Sequence, residues 1–157
     1  MTMLGNVLLD AAFSSLVAMG FALMFNVPRR LLLWCMLGGA IGHSLRTLLL
    51  SIFPDSLAVC TFAACVVVGI YSTWASLRLK SPAMIFQVTG SITMVPGAVA
   101  YQAVLGALAL SGLPVPGVAE PLDYFARNFF LTAVLLGAIS FGIILPQLLA
   151  NREKPVI

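Results

Sequence analysis

Ile92-Thr93-Met94-Val95-Pro96-Gly97-Ala98-Val99-Ala100-Tyr101 decides how this chain is read. The stretch sits inside a run, about 83 to 110, that is otherwise apolar enough to cross a bilayer. An unbroken helix over that run would be about 42 Å long, against a hydrocarbon core of about 30 Å, so it must tilt, extend past the lipid or break. Pro96 has no N–H to give the carbonyl of Ile92, and Gly97 lets the backbone bend or approach a ligand closely. Together they predict a helix broken or kinked at Pro96-Gly97. A spanning helix carries such a break only where the freed backbone groups are buried in protein or line a polar cavity. In transporters the second half-helix then begins inside the bilayer with its positive end exposed. Gln87, Thr89, Ser91, Thr93, Tyr101 and Gln102 place hydroxyl and amide groups around the break. A kink that only shapes packing is the plainer reading; the polar cluster favours a role in permeation.

Outward from the break, the rest of the chain has the same character. Of 157 residues, 61% are hydrophobic and only 8% charged, and the mean hydropathy is +1.09. Soluble domains carry roughly 25% charged residues, so this is an all-α integral membrane protein. The net charge of +3 is small and scattered along apolar segments, which excludes a nucleic-acid-binding protein. The first 25 residues lack a basic leader and carry Asp10 within the apolar stretch, so a cleaved secretory signal is not expected. Cys35, Cys60 and Cys65 show no metal-ligand spacing and read as small buried hydrophobes, with no metal or cofactor expected.

Five apolar stretches are long enough to span, at about 4–25, 31–53, 57–77, 83–110 and 124–149, forming one transmembrane domain over 1–157. The second contains His43 and Arg46, and the loop charges decide its status. Arg29 and Arg30 follow the first stretch, Arg78 and Lys80 the third, and Arg152 and Lys154 the fifth; Asp55, Glu120 and Asp123 follow the second and fourth. Five crossings put all three basic clusters on one side, which predicts the N-terminus outside and the C-terminus in the cytoplasm. Arg127 is the one exception. Pro28 and Pro82 fall at or just before helix starts, where a missing N–H costs little.

His43 and Arg46, three positions apart, share a face of the second helix. A charge at membrane depth costs several kcal/mol unless paired or hydrated, so such residues mark candidate sites. The Arg46 guanidinium is suited to grip a carboxylate in a two-pronged fork, and His43 to donate a hydrogen bond or exchange a proton near neutral pH. Snorkelling of Arg46 and a plain interhelical hydrogen bond from His43 are the alternatives. Asp10 lies at a similar depth and is expected to pair with Arg46 or to act with His43 as a protonatable gate. The candidate substrate-binding set is therefore Arg46, His43, Thr93, Pro96, Gly97 and Tyr101. Gly38 and Gly42 carry the spacing that permits close helix contact, and Gly137, Ser140 and Gly142 form a small-residue patch suited to packing or partner contact.

The run GFALMFNVPRRLLLWCMLGGAIGHSLR, from Gly20 to Arg46, with ITMVPGAVAY, from Ile92 to Tyr101, resembles the small YjjB-type subunit of the threonine/serine exporter (ThrE) family. The resemblance covers nearly the whole chain; Thr93 departs from it, standing where the family carries a further proline. It implies a multi-pass subunit of a bacterial inner-membrane exporter working with a larger YjjP-type partner. Succinate is the substrate implied for two-subunit members, and threonine and serine for fused ones. The partners on this reading are the larger subunit, a small carboxylate and the lipid bilayer, with room for a higher oligomer. A non-transporting scaffold for the larger subunit is the rival; no catalytic constellation points to an enzyme.

Overall fold

A computed structural model of the protein describes residues 3–150, so the tail charges Arg152 and Lys154 lie outside the described residues. Among these the structure is all-helical: α1 (Met3–Met24), α2 (Arg29–Ile52), α3 (Leu57–Leu79), α4 (Ala83–Ser91), a 3-10 turn (Ile92–Met94), α5 (Gly97–Leu110) and α6 (Pro121–Ala150). Four helices, α1, α2, α3 and α6, are long and apolar enough to cross a membrane; the count reaches five when α4 with its 3-10 turn and α5 form one interrupted span. Helices satisfy their own backbone groups, which lipid cannot do for them. Large apolar side chains such as Phe13, Leu33 and Phe141 point outward, as expected where lipid covers the surface. This is a multi-pass membrane protein.

α1 and α3 stop by the same device. Asn26 and Lys80 adopt left-handed backbone, with φ of 55° and 49°. Beyond them Val27 N–H reaches the Ala22 carbonyl (2.9 Å) and Ser81 N–H reaches Ser76 (3.2 Å), closing the last turn of each helix on itself. One residue further, Pro28 and Pro82 cap the starts of α2 and α4.

The described residues divide into two compact units, one of residues 3–94 with 138–150 and one of 95–137. In the first, α2 is central because its glycines remove the Cβ atoms that would hold neighbours away. A Cβ on Gly39 would lie 2.5 Å from the Ala18 Cβ of α1, and one on Gly42 would lie 2.6 Å from Val68 Cγ2 of α3 and 3.0 Å from Met94 Cε. Gly38 packs on the Tyr71 ring and against Gly90 of α4. This is the close contact the Gly38–Gly42 spacing predicts. Met94, Val68, Ala64 and Cys65 join Ile139 and Ile143 of α6 in one buried cluster, while Ala22, Leu31, Cys35, Ala75 and Phe86 form another.

The final part of α6 packs on α3 through Gly142, where a Cβ would lie 2.8 Å from Cys65 Cβ, and through Gly69, which sits under the Ile143 carbonyl and the Pro146 ring. Gly137 has nothing within 4 Å of its Cβ position and Ser140 is exposed, so only Gly142 of that patch packs within the first unit. The second unit is a hairpin of α5 and the first part of α6. Gly106 brings α5 against the Phe125 backbone at 2.7 Å, and Phe125 stacks on Phe129 with ring centroids 5.4 Å apart.

Candidate functional site

The break is built from two short turns. α4 ends at Ser91 and tightens into the 3-10 turn, where the Thr93 hydroxyl donates to the Gly90 carbonyl (3.2 Å). Pro96 then takes φ −78° and ψ 60°, and the Gly97 N–H bonds the Val95 carbonyl at 2.8 Å. These are the dihedrals and the bond of an inverse γ-turn centred on Pro96. α5 starts at Gly97 with no side-chain cap. Helix four is therefore broken between Met94 and Gly97, not merely kinked.

Breaking a helix strands carbonyls at its C-terminal end, which carries partial negative charge. Arg46 answers this one. Its Nη1 donates to the Met94 carbonyl at 3.2 Å, reaching from α2 to the last residue of the 3-10 turn. Nη1 lies on the Cδ side of the guanidinium, so this bond leaves the opposite edge, Nε with Nη2, for other acceptors. Arg46 Nε is buried and has no partner among the described residues. A buried donor without a partner costs about 1–3 kcal/mol, and that edge is the one that engages a carboxylate through two parallel hydrogen bonds.

Asp10 belongs to a neighbouring cluster. Its Oδ2 accepts a hydrogen bond from Thr47 Oγ1 at 2.6 Å and lies 3.8 Å from His43 Nδ1, the one ion-pair contact among the described residues. His43 Nδ1 has no hydrogen-bond partner among the described residues. The expected Asp10–Arg46 pair is not what forms. His43 and Thr47 are four residues apart and so face α1 together, whereas Arg46 is turned about a quarter of the way round α2, towards the break. One turn beyond Asp10, the Ser14 hydroxyl donates back to the Asp10 carbonyl.

The structure thus brings Asp10, His43 and Thr47 together, and Arg46 to the Met94 carbonyl beside Thr93. Pro96, Gly97 and Tyr101 belong to the second unit; the Gly97 Cβ position is open, and Tyr101 is 63% exposed, its hydroxyl without a hydrogen bond among the described residues. Sequence reasoning missed Thr47, although its hydroxyl sits one turn from His43. It also missed Gln147 of α6, whose Oε1 accepts from Gln87 Nε2 at 3.0 Å, and the interior Pro146. Among the described residues no group of His, Cys, Asp or Glu is arranged to hold a metal ion.

The chain is 38% identical over 153 residues to an uncharacterized protein of Haemophilus influenzae, covering 97% of this chain and 50% of that one, so it spans about half the length of the relative. No solved structure matches it. The sequence profile described as "Threonine/Serine exporter, ThrE" matches residues 10–149, and the chain accordingly belongs to the threonine/serine exporter family.

Proposed function

We propose that this chain is a subunit of an inner-membrane exporter of small carboxylates, with succinate the leading substrate and a larger YjjP-type membrane protein the partner. The observation that carries the reading is the Arg46 guanidinium, tied by one edge to the broken end of helix four and unpartnered at Nε. A substrate carboxylate takes that free edge. Because the opposite edge holds the Met94 carbonyl, binding and the geometry of the break are linked through one side chain.

The membrane arrangement proposed is five spans, with the N-terminus outside and the C-terminus cytoplasmic. The partner is supported by the relative in which a stretch resembling this chain fills only half of one polypeptide. The other half of that relative is proposed as the counterpart of the larger partner. Asp10 and His43, with Thr47 fixing the carboxylate, are the groups proposed to link transport to protons.

A second reading, export of threonine or serine, is favoured by the family description. Such a substrate brings an ammonium as well as a carboxylate, and Asp10 is the one carboxylate within the predicted spans. Efflux of labelled succinate from vesicles holding both subunits tests the proposal, with threonine and serine as competitors. Saturable succinate efflux that threonine does not inhibit is expected; threonine efflux in its place would shift the assignment to the second reading. If Arg46→Ala and Gly97→Leu complexes assemble and export at the wild-type rate, this site is wrong and the chain is a scaffold.

A further inference from the structure

We propose that the paired Arg–Trp face of α2 and α3 is a binding site for an anionic phospholipid. The two helices run antiparallel: Cys60 Sγ donates to the Phe53 carbonyl, Val68 packs on Gly42, and the Tyr71 hydroxyl donates to the Trp34 carbonyl at 2.8 Å. On α2, Arg30 and Trp34 are four residues apart and share a face; on α3, Trp74 and Arg78 do the same in reverse order. The two indoles meet with ring centroids 5.7 Å apart. That register places both arginines one turn beyond the tryptophans, at the same end of the bundle.

Each layer matches a part of a phospholipid. Trp34, Trp74, Leu77, Arg78 and Leu79 line an open pocket of about 640 Å³. Neither Arg30 nor Arg78 has a carboxylate partner among the described residues, so two like charges face the same end without compensation. A phosphodiester supplies that compensation and accepts from both guanidinium groups. One turn deeper, neither indole N–H makes a hydrogen bond to the described residues, and tryptophan at this depth is suited to the ester region just below the headgroups. Deeper still, Leu37 and Ile41 on α2 and Val67 and Ile70 on α3 are exposed, an apolar track for acyl chains. The platform is held still by Tyr71, bonded to Trp34, packed on Gly38 and lying 6.2 Å from the Trp74 ring.

Charge selects the lipid class. A zwitterionic headgroup brings its own ammonium towards two arginines, whereas phosphatidylglycerol or another anionic glycerophospholipid brings only the phosphate. Two arginines at the membrane surface translate into a preference of about thirtyfold for the anionic lipid.

Trp34 and Trp74 are the chain's only tryptophans, so intrinsic fluorescence reads this site alone. The full chain is reconstituted in phosphatidylcholine vesicles, and phosphatidylglycerol or phosphatidylethanolamine with brominated acyl chains is titrated in as quencher. Brominated phosphatidylglycerol is expected to quench at a mole fraction at least about tenfold lower than brominated phosphatidylethanolamine. The difference should vanish in the R30Q/R78Q double variant and survive in part in R30K/R78K, which keeps the charge and guards against loss of fold. Millimolar inorganic phosphate should leave the curves unmoved. Coincident curves for the wild type, a preference that persists in R30Q/R78Q, or abolition of the preference by free phosphate would each overturn the proposal.

Discussion

Gly39 and Gly97 show one residue type used in two opposite ways. At Gly39 on α2 the missing Cβ is a packing device: an added carbon would lie 2.5 Å from Ala18 Cβ and 3.0 Å from the Ser14 carbonyl oxygen. At Gly97, where α5 begins, an added carbon would meet nothing within 4 Å. The α2 seam is closed to the limit of contact, and the start of α5 is open. Both glycines sit in apolar runs, so hydropathy alone does not tell them apart; the neighbours do. The lesson is that a glycine's role here is set by its neighbours: Gly39, like Gly106 in the second unit, lets helices close to contact, and Gly97 does not.

The largest effect that would break this contrast is expected from Gly39→Val. It drives a branched side chain into the α1 backbone, and it should cost about 3 kcal/mol or leave little folded protein, as read by thermal unfolding in detergent. Gly69→Ala should come close behind, because the obstruction there is the Ile143 carbonyl oxygen at 2.5 Å, which belongs to a helix and cannot swing aside. Thr47→Val keeps the volume but removes the hydroxyl that donates to Asp10; a loss of about 2 kcal/mol is expected in the same assay. If Thr47→Val is neutral, the Asp10 cluster does not hold α1 to α2. Gly42→Ala should be milder, about 1 kcal/mol, since the atoms in its way are side-chain ends, Val68 Cγ2 and Met94 Cε. Gly97→Ala is expected to change stability by less than about 0.5 kcal/mol; a loss as large as that at Gly42 would mean the start of α5 is packed after all.

How much of this was legible in the sequence depended on the range of the interaction. The helix ends were readable because Asn26-Val27-Pro28 and Lys80-Ser81-Pro82 act locally, stopping one helix and starting the next within a few residues. The break at Pro96 was readable for the same reason: a missing N–H and a fixed φ are properties of the residue itself. Close packing at Gly38 and Gly42 followed from spacing. The partner of Asp10 did not, because Arg46 and Thr47 are adjacent in sequence and only the rotation of α2 about its axis decides which one faces α1. The Met94 carbonyl as the acceptor for Arg46 was equally hidden, since every residue has a carbonyl and nothing in a side-chain pattern marks the one left free. Pro146 was overlooked in an apolar run; its ring lies against Gly69, a contact visible only once α3 and α6 are side by side.

The polar atoms of the first unit make the same point about function. Ser72, Thr73, Thr61 and Thr89 all return their hydroxyls to carbonyls one turn back, so each is satisfied within its own helix. Arg46 reaches across to another element, and its Nε is left over. The discriminating feature at membrane depth is therefore not polarity but polarity that the helix cannot satisfy by itself.

The most direct test of that claim is efflux of labelled succinate from vesicles carrying the proposed two-subunit complex, comparing wild type, Arg46→Lys and Arg46→Ala at equal assembled complex. A fall of at least about tenfold is expected for Arg46→Ala and an intermediate rate for Arg46→Lys, which keeps the charge but loses the two-pronged edge. Equal efflux from all three complexes would contradict it.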